Sequence, residues 1–171
     1  QGAMTKITLA LIPLLPLLAA AITSRIRCGQ RAAWVAIVAM LGSCATAMVA
    51  FRETWGMSQT SSVPTFDFTS LKVGDTVINF GFVLDPLTGA MAAMVTFIGL
   101  LIFIYSAGYM ADNARKPRFF CYLSLFASGM LGLVLANNLL LLFMCWEIVG
   151  LASYLLISFW FQKPEAAAAG K

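Results

Sequence analysis

The sequence predicts an all-α integral membrane protein of about five transmembrane helices, with a small extramembrane β-hairpin between the second and the third. Three observations predict it. Of 171 residues, 61% are hydrophobic and 11% charged, where a soluble domain is about half apolar and about a quarter charged. The mean hydropathy is +0.89. The apolar residues also fall into runs of about the 20 residues that cross hydrocarbon about 30 Å thick. So short a chain cannot bury this much apolar surface in water, so the excess faces lipid. This excludes a soluble enzyme and a disulfide-stapled secreted module. A nucleic-acid partner is excluded as well: the net charge is +4, but the bases lie between apolar runs and form no stripe.

The first run extends from about Ile7 to Thr23, after Gln1-Gly2-Ala3, which read as a tag remnant ahead of Met4. Pro13 and Pro16 interrupt it and are expected to bend the helix. The second run is Ala32 to Phe51, so residues 4–51 carry helices one and two. Residues 52–84 form an outer connection in which Ile78, Phe80, Phe82 and Leu84 alternate with Asn79, Gly81 and Val83, a strand period with one apolar face. Gly74-Asp75 supplies turn chemistry for a hairpin with an upstream strand around Ser70–Val73. A lone hairpin is marginal in water, so it is expected on the membrane surface or against a neighbouring subunit. Asp85-Pro86 opens helix three, with Asp as N-cap and Pro at the first helical position; helix three then runs from about Leu87 to Met110. The block Phe119–Phe161 is too long for one crossing, and Asn137-Asn138 divides it into helices four and five. Residues 85–171 thus hold helices three to five and the start of a cytoplasmic loop.

The bases orient the chain. Arg25, Arg27, Arg31, Arg115, Lys116, Arg118, Lys163 and Lys171 fall on one side of five crossings, eight of the eleven. Lys6, Arg52 and Lys72 remain on the other side, with Glu53, Asp67, Asp75 and Asp85. By the positive-inside rule the N-terminus is outside and the C-terminus cytoplasmic. The four cysteines form no CxxC pair and there is no histidine, so no zinc or haem ligand set is expected. All four cysteines read as small packing residues.

One acid is out of place. Glu147 lies nine residues past Asn138, roughly 14 Å into the hydrocarbon at about 1.5 Å per residue. An acidic side chain at that depth costs about 2.5–3.5 kcal/mol even on lenient scales, and helix formation does not require it. Gly150, Leu151 and Tyr154 follow on the same helical face. Helix four offers Ser124, Ser128, Gly132 and Ala136 at four-residue spacing, which reads first as close helix packing. Tyr154, Ser128 and Ser124 are the side chains that could extend a proton path from Glu147. No Lys, Arg or His falls inside a predicted span. The carboxyl is therefore either protonated at rest or paired with a charge from elsewhere.

At helix five the sequence resembles a known family. Trp146-Glu147-Ile148-Val149-Gly150, followed by Ser153-Tyr154-Leu155-Leu156-Ile157-Ser158-Phe159-Trp160, closely resembles the fifth helix of the antiporter-like subunit L (mitochondrial chain 5) family of respiratory complex I. Leu84-Asp85-Pro86-Leu87, Tyr105-Ser106-Ala107-Gly108-Tyr109-Met110, Arg118-Phe119-Phe120, Ala136-Asn137-Asn138-Leu139 and Lys163-Pro164-Glu165-Ala166-Ala167-Ala168 extend the likeness from about Gly74 to the end. The Trp-Glu-x-x-Gly core alone is shared with Mrp-type cation/proton antiporters and ion-coupled carbon-uptake subunits.

The resemblance implies a proton-translocating subunit of an NADH:quinone oxidoreductase in the bacterial inner membrane, with Glu147 as the translocating carboxyl paired to a lysine two helices downstream. It implies NADH, FMN, iron–sulfur clusters and quinone in partner subunits and no cofactor in this chain. Its partners would be the other membrane subunits of complex I and the lipid bilayer, with the hairpin on the periplasmic surface. The sequence departs from the family at Ile148, where Gly is common, at Ala152, where Cys is common, and at Asn137, where Asp is common. Family members have well over a dozen helices, so the resemblance covers their N-terminal part, ahead of the paired lysine. Two readings stay open beside it: the large subunit of an Mrp-type antiporter, and a membrane fragment with no catalysis of its own.

Overall fold

The structure, a computed structural model, describes residues 2–55 and 65–169, with side chains described for 6–55, 65–165 and 168–169. Five helices are long and apolar enough to cross a membrane. They are α1 (Gly2–Arg25), α2 (Gly29–Thr54), α3 (Pro86–Tyr109), α4 (Lys116–Leu135) and α5 (Leu139–Ile157). A 3₁₀ turn at Ser158–Trp160 prolongs α5, and a short helix, α6 (Pro164–Ala169), follows in the stretch expected to be loop. Strands β1 (Thr65–Val73) and β2 (Thr76–Val83) form the hairpin between α2 and α3. Residues Gly2 and Ala3, set aside as a tag remnant, are drawn as the first turn of α1.

The expected caps are present. Asp85 Oδ1 accepts from Thr88 N at 2.6 Å and Pro86 takes the first helical position of α3. Asn138 Oδ1 accepts from Leu141 N at 2.8 Å and starts α5. Each side chain satisfies an N–H that the helix leaves without a backbone partner.

Small residues decide how the helices meet. In α2 the buried positions Ala32, Ala36, Met40, Ser43, Ala47, Ala50 and Thr54 recur every three or four residues, one stripe along the helix. Between lipid-facing helices, tight van der Waals packing replaces the hydrophobic drive, and small side chains permit it. α1 packs against α2 and α4, α2 also against α3, and α5 chiefly against α4. Two apolar clusters result. One joins Leu9, Ala47, Leu84, Ala92 and Leu131 near the hairpin; the other joins Ala36, Met40, Phe103, Phe120 and Leu123 towards the opposite end.

β1 is longer than the expected Ser70–Val73. It reaches back to Thr65, and a register shift between Asp67 and Thr69 explains why its alternation was hidden. The extra residue of a bulge breaks the two-residue period. Gly74, at the turn, carries the left-handed φ of 63°. The hairpin rests on its own bundle: Phe66 and Phe82 pack on the first cluster. Asn137 N donates to Gly81 O at 3.1 Å, Gly81 N to Asn137 Oδ1 at 3.0 Å, and Asn138 Nδ2 to Asn79 O at 2.7 Å. This contact between residues distant in sequence is why periodicity alone left the hairpin without a support.

The opposite end of the bundle is basic. Arg25, Arg27, Arg31, Arg115, Lys116, Arg118 and Lys163 gather where α1, α3 and α5 finish and α2 and α4 begin.

Candidate functional site

Glu147 stands eight residues after the start of α5 and ten before its end, about 12 Å and about 15 Å from the two termini at 1.5 Å per residue. It is therefore close to mid-span. α5 seats on α4 through glycines: a Cβ on Gly132 would come 2.9 Å from Cys145 Sγ, and one on Gly129 would press on Ile148 and Val149. That contact fixes the rotation of α5. Leu141, Cys145 and Ala152 turn inward, which sends Glu147 out of the bundle, on an exposed stripe with Phe143, Gly150, Leu151 and Tyr154. A Cβ built on Gly150 meets nothing. Among the described residues the Glu147 carboxyl has no hydrogen bond or ion pair.

The structure separates the residues that the sequence grouped with it. Tyr154 shares the outward stripe of Glu147, two turns further on. Ser128 and Ser124 are buried in α4. Ser128 Oγ donates to Pro13 O of α1 at 2.9 Å. Ser124 Oγ is the buried side-chain polar atom that lacks a hydrogen-bond partner among the described residues. The expected stripe of α4 thus divides between two neighbours, with Ser128 against α1 and Gly132 against α5.

Lys116 corrects the expectation that the bases lie in the connections and that no cation enters a span. It is the first residue of α4 and is buried. Its Nζ donates to Ala107 O of α3 at 2.8 Å and to Gln30 Oε1 of α2 at 3.3 Å. A cation on the last carbonyls of α3 complements the negative end of that helix. The stem lies over Gly29, where a Cβ would come 3.1 Å from Lys116 Cβ and Cδ. Pro117, a helix-opening residue, was the sequence signal that α4 starts before its apolar run. Lys116 is buried and Glu147 exposed, and the two do not pair.

Cys28 also departs from the packing role expected of the cysteines. It is exposed, at the N-cap of α2. The Arg31 N–H holds its thiol below the usual range, helped by the Gln30 N–H and the Arg31 charge. Cys44 and Cys145 are buried, as a packing role requires.

Glu147 is thus an acidic side chain near mid-span of a helix formed by an apolar run, on a face that the described residues leave exposed. Residues 71–120 match the family model described as NADH-ubiquinone oxidoreductase (complex I), chain 5 N-terminus. Residues 136–171, which include Glu147, match the model described as NADH:quinone oxidoreductase/Mrp antiporter, TM. Subunit L of the F(420)H(2) dehydrogenase of Methanosarcina mazei is 45% identical over 163 residues, 94% of this chain and 23% of that protein. Chloroplastic NAD(P)H-quinone oxidoreductase subunit 5 of Anthoceros angustus is 40% identical over 134 residues, 78% of this chain and 18% of its own length. The same subunit of Mesostigma viride is 45% identical over 114 residues, 66% and 18%. The chain thus spans about a fifth of the length of these relatives.

Proposed function

The chain belongs to the antiporter-like subunit 5/subunit L family of complex I, and we propose that it supplies the N-terminal helices of a proton-translocating membrane subunit in which Glu147 is the titrating group. The observation that carries this reading is the position of Glu147: mid-span, the one charged residue in the helix, on a face that the described residues leave uncovered. Hydrocarbon is costly for a carboxylate, so a further membrane element carrying a cation covers that face. When the cation approaches, the charged carboxylate is favoured and the proton leaves. When it withdraws, the neutral acid is favoured and a proton is taken up. Tyr154, exposed on the same stripe two turns further on, would extend the path from Glu147.

Electron transfer belongs to partner subunits, which hold the NADH, FMN, iron–sulfur and quinone sites. Those subunits and the bilayer are the partners of this chain, in a bacterial inner membrane. By the positive-inside rule the basic end faces the cytoplasm and the hairpin the outside.

In the complete complex, Glu147→Gln is expected to preserve assembly and quinone reduction while proton translocation falls at least about tenfold, since a positioned proton-transfer group contributes about 10²–10⁴ in rate. Translocation at the wild-type rate would remove Glu147 from the mechanism. A second reading, the large subunit of an Mrp-type cation/proton antiporter, draws on the family shared by residues 136–171. It predicts proton movement driven by a sodium or potassium gradient without any quinone.

A further inference from the structure

We propose that the basic end of the bundle holds the headgroup of an anionic phospholipid, its phosphate on Arg27, Arg115 and Arg118. These side chains line a pocket of about 410 Å³ between the end of α1 and the start of α4, with Thr23, Ile26 and Pro117 completing the wall. Asp112 and Glu165 are the described acids nearest this end in sequence, and neither lines the pocket.

The pocket is prepared for an anion. None of the three guanidinium groups has a hydrogen-bond partner among the described residues. The Arg115 guanidinium lies over two aromatic rings, 5.2 Å from the Phe159 centroid and 4.9 Å from that of Phe161. A cation–π contact takes up none of the guanidinium's conventional hydrogen bonds, so its five N–H donors remain for a phosphate. The first turn of α4 contains no acid and its N-cap makes no side-chain bond, so the positive end of that helix adds to the field.

Depth and shape favour a lipid over a soluble anion. Exposed Tyr109, Trp160 and Phe161 flank this end, and such aromatics sit at headgroup level. Below the pocket, Leu14, Leu18 and Ile22 are exposed at four-residue spacing on α1 and lead up to Ile26 in its wall. That lane suits an acyl chain; a free phosphate or an acidic peptide has no use for it. Basic pockets between membrane helices on the cytoplasmic side bind anionic headgroups by these means.

The test is titration of the detergent-purified chain, read by native mass spectrometry, with short-chain phosphatidylglycerol, short-chain phosphatidylcholine or inorganic phosphate alone. Phosphatidylglycerol is expected to bind one to one, at least tenfold tighter than either of the others. A basic residue near an anionic headgroup is worth about fivefold in affinity, so Arg27→Gln with Arg118→Gln should weaken binding about 25-fold. Arg25→Gln with Arg31→Gln removes the same charge outside the pocket and should weaken it less than threefold. Equal binding of phosphatidylcholine, equal loss in the two double variants, or inorganic phosphate binding as tightly as the lipid would each overturn the proposal. If the first double variant does not elute as the wild-type species, Arg27→Lys with Arg118→Lys replaces it. Keeping the charge but losing the bidentate fork should then cost roughly fivefold, and no loss counts against the site.

Discussion

Ser43 Oγ of α2 donates a 2.6 Å hydrogen bond to Ile12 O of α1, the carbonyl that Pro16 deprives of its helical partner. A proline has no N–H to return to the carbonyl four residues earlier and opens the turn around it. In hydrocarbon no water can make up the loss, so a neighbouring helix must. From α4, Ser128 Oγ donates to Pro13 O, the next carbonyl along α1, whose own helical donor position, Leu17, still carries an N–H. The Pro16 gap and the two serines, on successive carbonyls of α1, therefore tie three helices together at one turn.

Ser43→Ala should destabilise the bundle by about 1–2 kcal/mol, the range for a lost interhelical bond with a buried carbonyl left bare. In a Pro16→Ala background, where residue 16 regains an N–H for Ile12 O, the same substitution should cost much less. Unfolding in mixed micelles measures both. Equal costs in the two backgrounds would show that Ser43 does not serve the proline gap.

Gly81 faces the tightest contact in the hairpin. A Cβ there would stand 2.9 Å from Asn137 Nδ2 and closer still to Phe66 O and Asp67 Oδ1. Gly81→Ala is expected to cost about 1–3 kcal/mol, as overpacking does, and to speed hydrogen exchange across residues 65–83. Gly108, where a Cβ meets nothing, should accept alanine without loss. A harmless Gly81→Ala would mean that the hairpin is not docked on the Asn137 turn.

Asn137 Nδ2 donates to Asp67 Oδ1 at 2.8 Å. Asn137→Asp removes that donor and sets two carboxylates side by side, which raises the proton affinity of the pair in the folded state. The sign follows: a folded-state affinity above the unfolded one means stability is regained as pH falls and is lowest at neutral pH. The melting-temperature deficit of Asn137→Asp should shrink on acidification. A deficit independent of pH would contradict the pairing.

Cys28 should be the cysteine that alkylates first, and at a pH below that needed by a free thiol, because the thiolate is the reactive form and the Arg31 N–H stabilises it. Since the largest cause is a backbone group, Arg31→Gln should leave most of the shift in place. Iodoacetamide labelling rates against pH test both statements. An impermeant reagent reaching Cys28 from the cytoplasmic side only would agree with the proposed orientation.

The five crossings could be read from the sequence because hydrocarbon thickness sets a run length and the bases mark alternate connections. The Asp85 and Asn138 caps could be read for a similar reason, since their chemistry is local. The direction of Glu147 could not. Leu139–Met144 is apolar on every side, so periodicity places Glu147 beside Gly150 and Tyr154 but does not say which face meets α4. That is decided by Gly129 and Gly132, which lie in another helix. Lys116 was hidden for a related reason: it sits in a run of bases, and its burial depends on Gly29, remote in the chain. The β1 bulge at Phe68 concealed half a strand by breaking its alternation.

The account rests on a carboxyl held at the bilayer centre, and depth is the direct measurement of it. A nitroxide placed by Glu147→Cys, with the four native cysteines replaced and the chain in lipid, reports collisions with dissolved oxygen and with a water-soluble nickel complex. High oxygen and low nickel accessibility is predicted, in contrast to labels at Asp75 and Asp112 near the two ends. A label at residue 147 as open to nickel as either of those would place the carboxyl in water and contradict the account.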